Sequence, residues 1–126
     1  MALPANARLQ AAESFIRDVR FVHEFLRQQD PTLADQRYGV LLQQLKEARE
    51  HLRWNPAAGR PARFLQSRSA HGQALAARAA ALARAHGVPQ LRELVVKPYL
   101  LLYAEGTGRV VLLALKHERQ LSFHID

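Results

Sequence analysis

Residues 91–116, LRELVVKPYLLLYAEGTGRVVLLALK, decide the fold. The stretch contains three runs rich in Val, Leu and Tyr, separated by Lys97-Pro98 and by the Gly-containing turn 105–108. This pattern predicts three antiparallel strands, over 91–96, 99–104 and 109–116. Because the run from Val110 to Leu115 is apolar without interruption, we expect the last strand to be central and covered on both faces.

Two apolar stripes with helical spacing precede this region. Within 13–29 and again within 32–52, apolar residues recur at steps of three and four. Asp30-Pro31 separates the two stretches, since proline suits the first turn of a helix and disfavours a helical residue before it. The pattern predicts an antiparallel helix hairpin that packs on the sheet, with a short strand at 7–10 before it.

An Ala- and Arg-rich segment connects the hairpin to the sheet. Three residues, Pro56, Gly59 and Pro61, indicate an irregular loop after the second helix. A third helix with a thin apolar face is expected over 70–86, followed by a capping glycine. The sequence predicts one α+β domain over residues 1–126: an N-terminal antiparallel helix hairpin packed on a C-terminal antiparallel β-sheet, with an extra Ala/Arg-rich helical insert at about 66–88.

Positive charge is concentrated in the second half of the chain. The 126 residues contain 18 Lys and Arg and 11 Asp and Glu, a formal net charge of +7, and residues 60–126 hold ten of the cations against four of the acids. No carboxylate lies between Glu50 and Glu93. Because arginine pairs bidentately with carboxylates and phosphates, we expect an anionic partner, either nucleic acid or an acidic protein segment. The candidate contacts are Arg60, Arg63, Arg78, Arg84, Arg92, Lys97, Arg109 and Lys116.

Several functional classes are disfavoured by what the sequence lacks. The chain has no cysteine, which excludes thiol catalysis, thiolate zinc sites and disulfides. Phosphate-binding glycine loops and metallohydrolase motifs are also missing, so neither a metal nor a cofactor is expected. The longest apolar run is far shorter than the roughly 18 to 20 residues that span a bilayer. We therefore expect a cytoplasmic protein without membrane contact.

Side chains suited to phosphate chemistry gather on or beside the predicted strands. A metal-free ribonuclease needs a base, an acid and cations that stabilise the phosphorane, whereas plain anion binding needs only the cations. If the chain is a nuclease, His117 and Tyr99 would transfer protons while Arg92 and Arg119 held the phosphate. Structural roles stay open for all of them: core packing for the tyrosines, a carboxylate pair on the hairpin for Arg92 and a surface position for His117.

The order of these parts resembles the RelE/ParE superfamily of type II toxin–antitoxin toxins. The similarity lies in RLQAAESFIRDVRFVHEFL (8–26), NPAAGRP (55–61), LRELVVKPYLLLY (91–103) and RVVLLALKHER (109–119). By this resemblance, Arg92 matches the arginine that opens the second strand of the family. Tyr99 and Tyr103 match the tyrosines of its third strand, and His117 and Arg119 match its terminal H-x-R.

The H-x-R ending resembles the ParE branch more than the mRNA-cleaving branch. The resemblance therefore implies a growth-inhibiting toxin of a plasmid-stabilisation type of module, which acts on DNA gyrase and is neutralised by a cognate acidic antitoxin. Two alternatives stay open: a ribosome-dependent mRNA endoribonuclease and a non-catalytic nucleic-acid-binding module. Whether the chain is an enzyme is thus undecided. The insert has no counterpart in the family pattern, and we interpret it as a docking surface for an anionic partner or as a solvated lid.

Overall fold

The computed structural model describes residues 6–125, and its elements agree with the predicted α+β class. The first helix has the predicted bounds, 13–29. The second helix, predicted over 32–52, begins two residues later because residues 31–33 form a turn, and it also ends two residues later. The elements in chain order are β1 (Arg8–Ala11), α1 (Glu13–Gln29), α2 (Ala34–Trp54), β2 (Arg60–Pro61), a 3-10 turn (Arg63–Gln66), α3 (Ala70–Ala85), β3 (Gln90–Val96), β4 (Tyr99–Gly106) and β5 (Arg109–His117).

The strands form one sheet in the order β1-β5-β4-β3-β2. The predicted meander of β3, β4 and β5 is confirmed, and these strands pair antiparallel. Two pairings extend the prediction. Strand β1 pairs parallel with β5, which makes the sheet mixed, and β2 pairs with β3 inside the stretch that the sequence indicated as an irregular loop.

Strand β5 is buried on both faces, as expected. Every residue from Val110 to Leu115 is at most 4% exposed. The helix hairpin covers one face, where Phe15, Leu41 and Leu52 join the core. Helix α3 and the C-terminal segment cover the other face, in the cluster that contains Leu75, Ala79, Ala83, Phe123 and Ile125.

Helix α3 is the predicted insert helix, and its apolar face packs on the sheet. Ser69 caps its N-terminus by accepting a hydrogen bond from the Gly72 N–H at 3.0 Å. Gly87 follows the helix with a φ of 75°, a left-handed conformation that favours glycine. The interpretation of the insert as a solvated lid is therefore wrong for this face, which belongs to the second half of the core.

A β-bulge in β5 provides the attachment point for α1. The register leaves Leu113 without a partner in β4, because Leu102 faces Ala114 and Tyr103 faces Leu112. Strand β1 ends opposite Leu112. Beyond that point α1 takes over the hydrogen bonding to β5. Its Ser14 hydroxyl donates to the Leu113 carbonyl, and its Asp18 carboxylate accepts from the Leu115 N–H at 2.8 Å.

Two glycine substitutions test the packing around β3 and β4. A Cβ on buried Gly59 would lie 2.6 Å from the Glu93 carbonyl oxygen and 2.8 Å from the Tyr103 ring. Gly59→Ala is therefore expected to lower the free energy of unfolding by about 1–3 kcal/mol through overpacking. Denaturant unfolding followed by circular dichroism measures the change.

Gly39→Ala is the matched control. Gly39 lies in α2 with nothing within 4 Å of an added Cβ. Because alanine has the higher helix propensity, this variant is expected to raise the free energy of unfolding by up to about 1 kcal/mol. Equal effects of the two substitutions would contradict the close approach at Gly59.

Candidate functional site

Tyr103 anchors the loop after α2 to the sheet. Its side chain is fully buried, and its hydroxyl donates to the Pro56 carbonyl at 2.7 Å and accepts from the Gly59 N–H at 2.8 Å. Burial raises the pKa of Tyr103, and the Gly59 hydrogen bond and the Arg92 charge oppose this shift. The phenol thus stays protonated at neutral pH and holds the NPAAGRP loop in place.

Arg92 also holds this loop, through a hydrogen bond to its backbone. Its guanidinium lies 3.3 Å from the Glu105 carboxylate and donates to the Gly59 carbonyl at 3.0 Å. The sequence suggested a partner on the helix hairpin, but the observed carboxylate partner lies on the adjacent strand. Arg92 pairs in register with Tyr103. Tyr103 lies four residues from Tyr99 along β4, which is about 14 Å at the usual rise of a strand, so Arg92 is distant from Tyr99.

A groove of about 510 Å³ lies between the turn of the helix hairpin and one end of the sheet. At the sheet side of this groove, Tyr99 and His117 face each other across β4 and β5, with ring centroids 5.6 Å apart and the planes nearly perpendicular. The helix side contributes exposed apolar side chains and several polar groups. The lining from the helices consists of Phe25, Leu26, Gln29, Leu33, Gln36, Arg37, Val40, Leu41 and Gln44, and the sheet side adds Lys97 and Pro98.

The hydrogen bonds of the groove restrict its proton chemistry. The Arg119 N–H donates to His117 Nδ1 at 3.1 Å, so a neutral His117 carries its proton on Nε2. Burial raises the pKa of Tyr99, which leaves a phenol that can donate a proton at neutral pH but does not accept one. Of the four predicted nuclease residues, the structure therefore brings Tyr99, His117 and the backbone of Arg119 together and places Arg92 elsewhere.

A second cluster surrounds Glu93 on the opposite face of the sheet. This carboxylate is 3% exposed, and it lies 2.8 Å from Arg60 Nε and 3.6 Å from Arg63 Nε. Lys116 is nearby, and burial lowers its pKa while the Glu93 charge opposes that shift. The Lys116 ammonium donates to the Gln120 carbonyl at 2.8 Å and lies 5.5 Å from the centre of the Phe123 ring. Three of the predicted anion contacts are thus held by contacts within the chain.

The remaining predicted contacts lie apart from this cluster. Arg78 and Arg84 are exposed on α3, whereas Arg109 donates to the Gln10 side chain at 3.2 Å. The eight predicted cations therefore do not share one concavity. Alternation along β3 is part of the reason, since it directs the neighbouring Arg92 and Glu93 to opposite faces. Among residues 6–125, no group of His, Asp or Glu is arranged to hold a metal ion.

One basic surface of the fold was not predicted from the sequence. Arg8, Lys46, Arg49 and Arg53 line an open cleft of about 420 Å³ between β1 and α2. These residues belong to the half of the chain where charges nearly balance, so net charge gives no signal there. The spacing of three and four between the cations of α2 is the pattern that indicates one helical face.

Comparison with known proteins identifies the fold. No family model matches the chain, and no curated protein matches it. A chain in the solved structure described as "Chromosomal ParDE TA system from P. aeruginosa" superposes with a TM-score of 0.56 at 14% sequence identity. The match covers 89% of this chain and 96% of that one. The two chains share a fold, which confirms the architecture that the resemblance to the RelE/ParE superfamily predicted. Within residues 6–125 no helix has the length and apolar character needed to cross a bilayer.

The loop-anchoring role of Tyr103 is testable by removing one oxygen atom. Tyr103→Phe leaves the Gly59 N–H and the Pro56 carbonyl without their partner, which is expected to cost about 1–3 kcal/mol of stability. Tyr99→Phe is the control, because the partly exposed Tyr99 contributes to the groove and forms no comparable bridge to the loop. Thermal and denaturant unfolding compare the two variants, and equal stability of Tyr103→Phe and the unaltered protein would refute the assignment.

Proposed function

We propose that this chain is the toxin of a type II toxin–antitoxin pair, that it acts in the cytoplasm as one toxin domain with α3 as an insert, and that it inhibits DNA gyrase. The observation that carries the proposal is the ParE-like arrangement of helix hairpin and sheet over 89% of the chain. The order of sequence motifs supports the same family. The ParE-like H-x-R ending, His117 to Arg119, favours gyrase as the target.

The groove at the hairpin turn suits an antitoxin segment. Phe25, Leu33 and Val40 are 51%, 37% and 56% exposed there, and clustered apolar exposure of this kind is typical of a protein interface. Arg37 and Lys97 add positive charge to the same lining. An amphipathic helix with an apolar face and acidic flanks fits this combination, and a disordered antitoxin tail that folds on binding provides it.

Two features favour gyrase over mRNA as the target. First, Arg92 is engaged by Glu105 and Gly59 and lies far along the strand from Tyr99, so the predicted nuclease residues do not form one site. Second, α3 and the C-terminal segment cover the sheet face opposite the hairpin with apolar side chains, which leaves little of that face open to RNA. Inhibition of gyrase requires a binding surface and no proton-transfer set.

One observation supports the nuclease alternative. Tyr99 and His117 contact each other in the groove, and Lys97 lies in the same lining. In such a reaction Tyr99 would act as the acid, and His117 would act as the base once its Nδ1 released the Arg119 N–H. This pair makes His117 the residue that separates the two targets.

The target can be tested by expressing the chain without an antitoxin. We expect growth arrest with filamentation and a DNA damage response, and stabilised gyrase–DNA cleavage complexes when the purified chain is added to gyrase. His117→Ala is expected to retain both effects, because no proton transfer is involved. Loss of translation with cleaved mRNA, abolished by His117→Ala, would instead support the nuclease. An absence of any growth effect would favour a non-catalytic nucleic-acid-binding module.

The antitoxin site can be tested with two aspartate substitutions on α2. Val40→Asp places a negative charge in the groove and is expected to weaken binding of the acidic antitoxin, so co-expressed antitoxin no longer restores growth. Leu42→Asp is the matched control, since Leu42 is 44% exposed on the same helix but does not line the groove. Binding is expected to weaken with salt for the unaltered chain. Equal loss of neutralisation in both variants would place the antitoxin elsewhere.

A further inference from the structure

The cleft between β1 and the C-terminal half of α2 has a strong excess of positive charge. Its lining consists of Ala7, Arg8, Leu9, Lys46, Arg49, Glu50 and Arg53. Four of these seven residues are cations and one is an acid. Glu50 is neutralised locally by Arg53, whose Nη1 lies 3.1 Å from its carboxylate. The residues that line the cleft thus carry a net charge of +3.

Three of these cations are available to an external anion. Arg8, Lys46 and Arg49 have exposed side chains. Within the part of the chain from residue 6 to 125, none of the three side chains forms a hydrogen bond or an ion pair. They differ in this respect from Arg60, Arg63 and Arg92, which are paired with carboxylates of the sheet. The cations of the cleft are therefore more available to an external anion than Arg60, Arg63 and Arg92, which the sequence had predicted as anion contacts.

The arrangement of the cations suits a phosphate backbone. Lys46 and Arg49, the two unpaired cations of α2, lie three residues apart and therefore on one face of the helix. Each of them can contact one phosphate of a DNA backbone. On the β1 side Ala7 and Leu9 face the hairpin, and the alternate residue Arg8 contributes to the lining from the edge of the strand. Arginine forks bind phosphate oxygens bidentately, which favours this pairing.

The composition of the lining distinguishes among anionic partners. No aromatic side chain among residues 6–125 lines the cleft, so this part of the chain offers no stacking platform of the kind that single-stranded nucleic acids usually need. Apolar anchors for a peptide are also weak, since Ala7 is 2% exposed and Leu9 is partly buried. The groove at the hairpin turn differs on both points, with Tyr99 and three exposed apolar side chains. A duplex that offers only its backbone fits the cleft best.

We infer that this cleft binds the sugar–phosphate backbone of duplex DNA, without reading its sequence. Contacts to phosphates fix position and orientation but carry no base information. The inference does not depend on the toxin assignment or on gyrase. Because cleft and groove are lined by different residues, DNA and an antitoxin segment would occupy different surfaces of the same molecule.

Fluorescence anisotropy with a short mixed-sequence DNA duplex tests the inference on the purified chain. The test variant combines Lys46→Gln with Arg49→Gln. Loss of two phosphate contacts is expected to make the negative slope of log K against log salt shallower by about 1.8, which corresponds to about 60-fold weaker binding at 0.1 M salt if binding is equal at 1 M. Both residues are exposed and unpaired among the described residues, so the variant is expected to unfold at the same temperature as the unaltered chain.

The control variant combines Arg78→Gln with Arg84→Gln on α3 and changes the net charge by the same amount. We expect its salt slope to change little, because these arginines lie outside the cleft.

Equal loss of duplex affinity in both variants would mean that DNA is attracted by the net charge of the chain and not by the cleft. An absence of duplex binding at low salt would refute the inference. Tighter binding of single-stranded DNA, an RNA hairpin or a polyglutamate peptide at the cleft would overturn the assignment to duplex DNA. None of these results depends on growth inhibition, so they are separable from the outcome of the toxin tests.

Discussion

The burial of β5 on both faces is the constraint on which the rest of the structure depends. A strand whose residues 110–115 are all apolar is stable in water only when each face of its sheet is covered. The helix hairpin covers one face, and α3 with the C-terminal segment covers the other. The helix that the sequence predicted as an insert is therefore part of the core. Its many alanines allow the helix to approach the sheet closely.

Coverage of both faces leaves the ends and edges of the sheet as the surfaces available for partners. The proposed antitoxin groove lies at the hairpin turn, where α2 begins, and the proposed DNA cleft lies beside the C-terminal half of the same helix. Helix α2 thus contributes apolar residues such as Val40 to one surface and cations such as Arg49 to the other. Under these two proposals, antitoxin binding and DNA binding use physically separate surfaces.

The distribution of charge shows why composition is an incomplete guide to a binding site. The lack of acids in 51–92 indicated that its arginines contact an external anion. In the structure several of them form contacts within the chain instead: Arg60 and Arg63 pair with buried Glu93, and Arg92 contacts Glu105 and the Gly59 carbonyl. The carboxylates that neutralise them lie just outside that stretch, on β3 and β4. The balanced N-terminal half instead supplies Lys46 and Arg49, which have no carboxylate partner among residues 6–125, because Glu50, the acid that shares their cleft, pairs with Arg53.

The sequence by itself determined the elements whose signals are local. Apolar periodicity and turn residues placed α1, α3 and the β3-β4-β5 meander close to their observed bounds, since these signals act within a few residues. Only the tertiary structure decided the parallel pairing of β1 with β5, the side of the sheet that α3 covers, and which cations meet. These features depend on contacts between distant residues, such as Ser14 with Leu113 and Asp18 with Leu115, and local periodicity carries no information about partners nearly a hundred residues away.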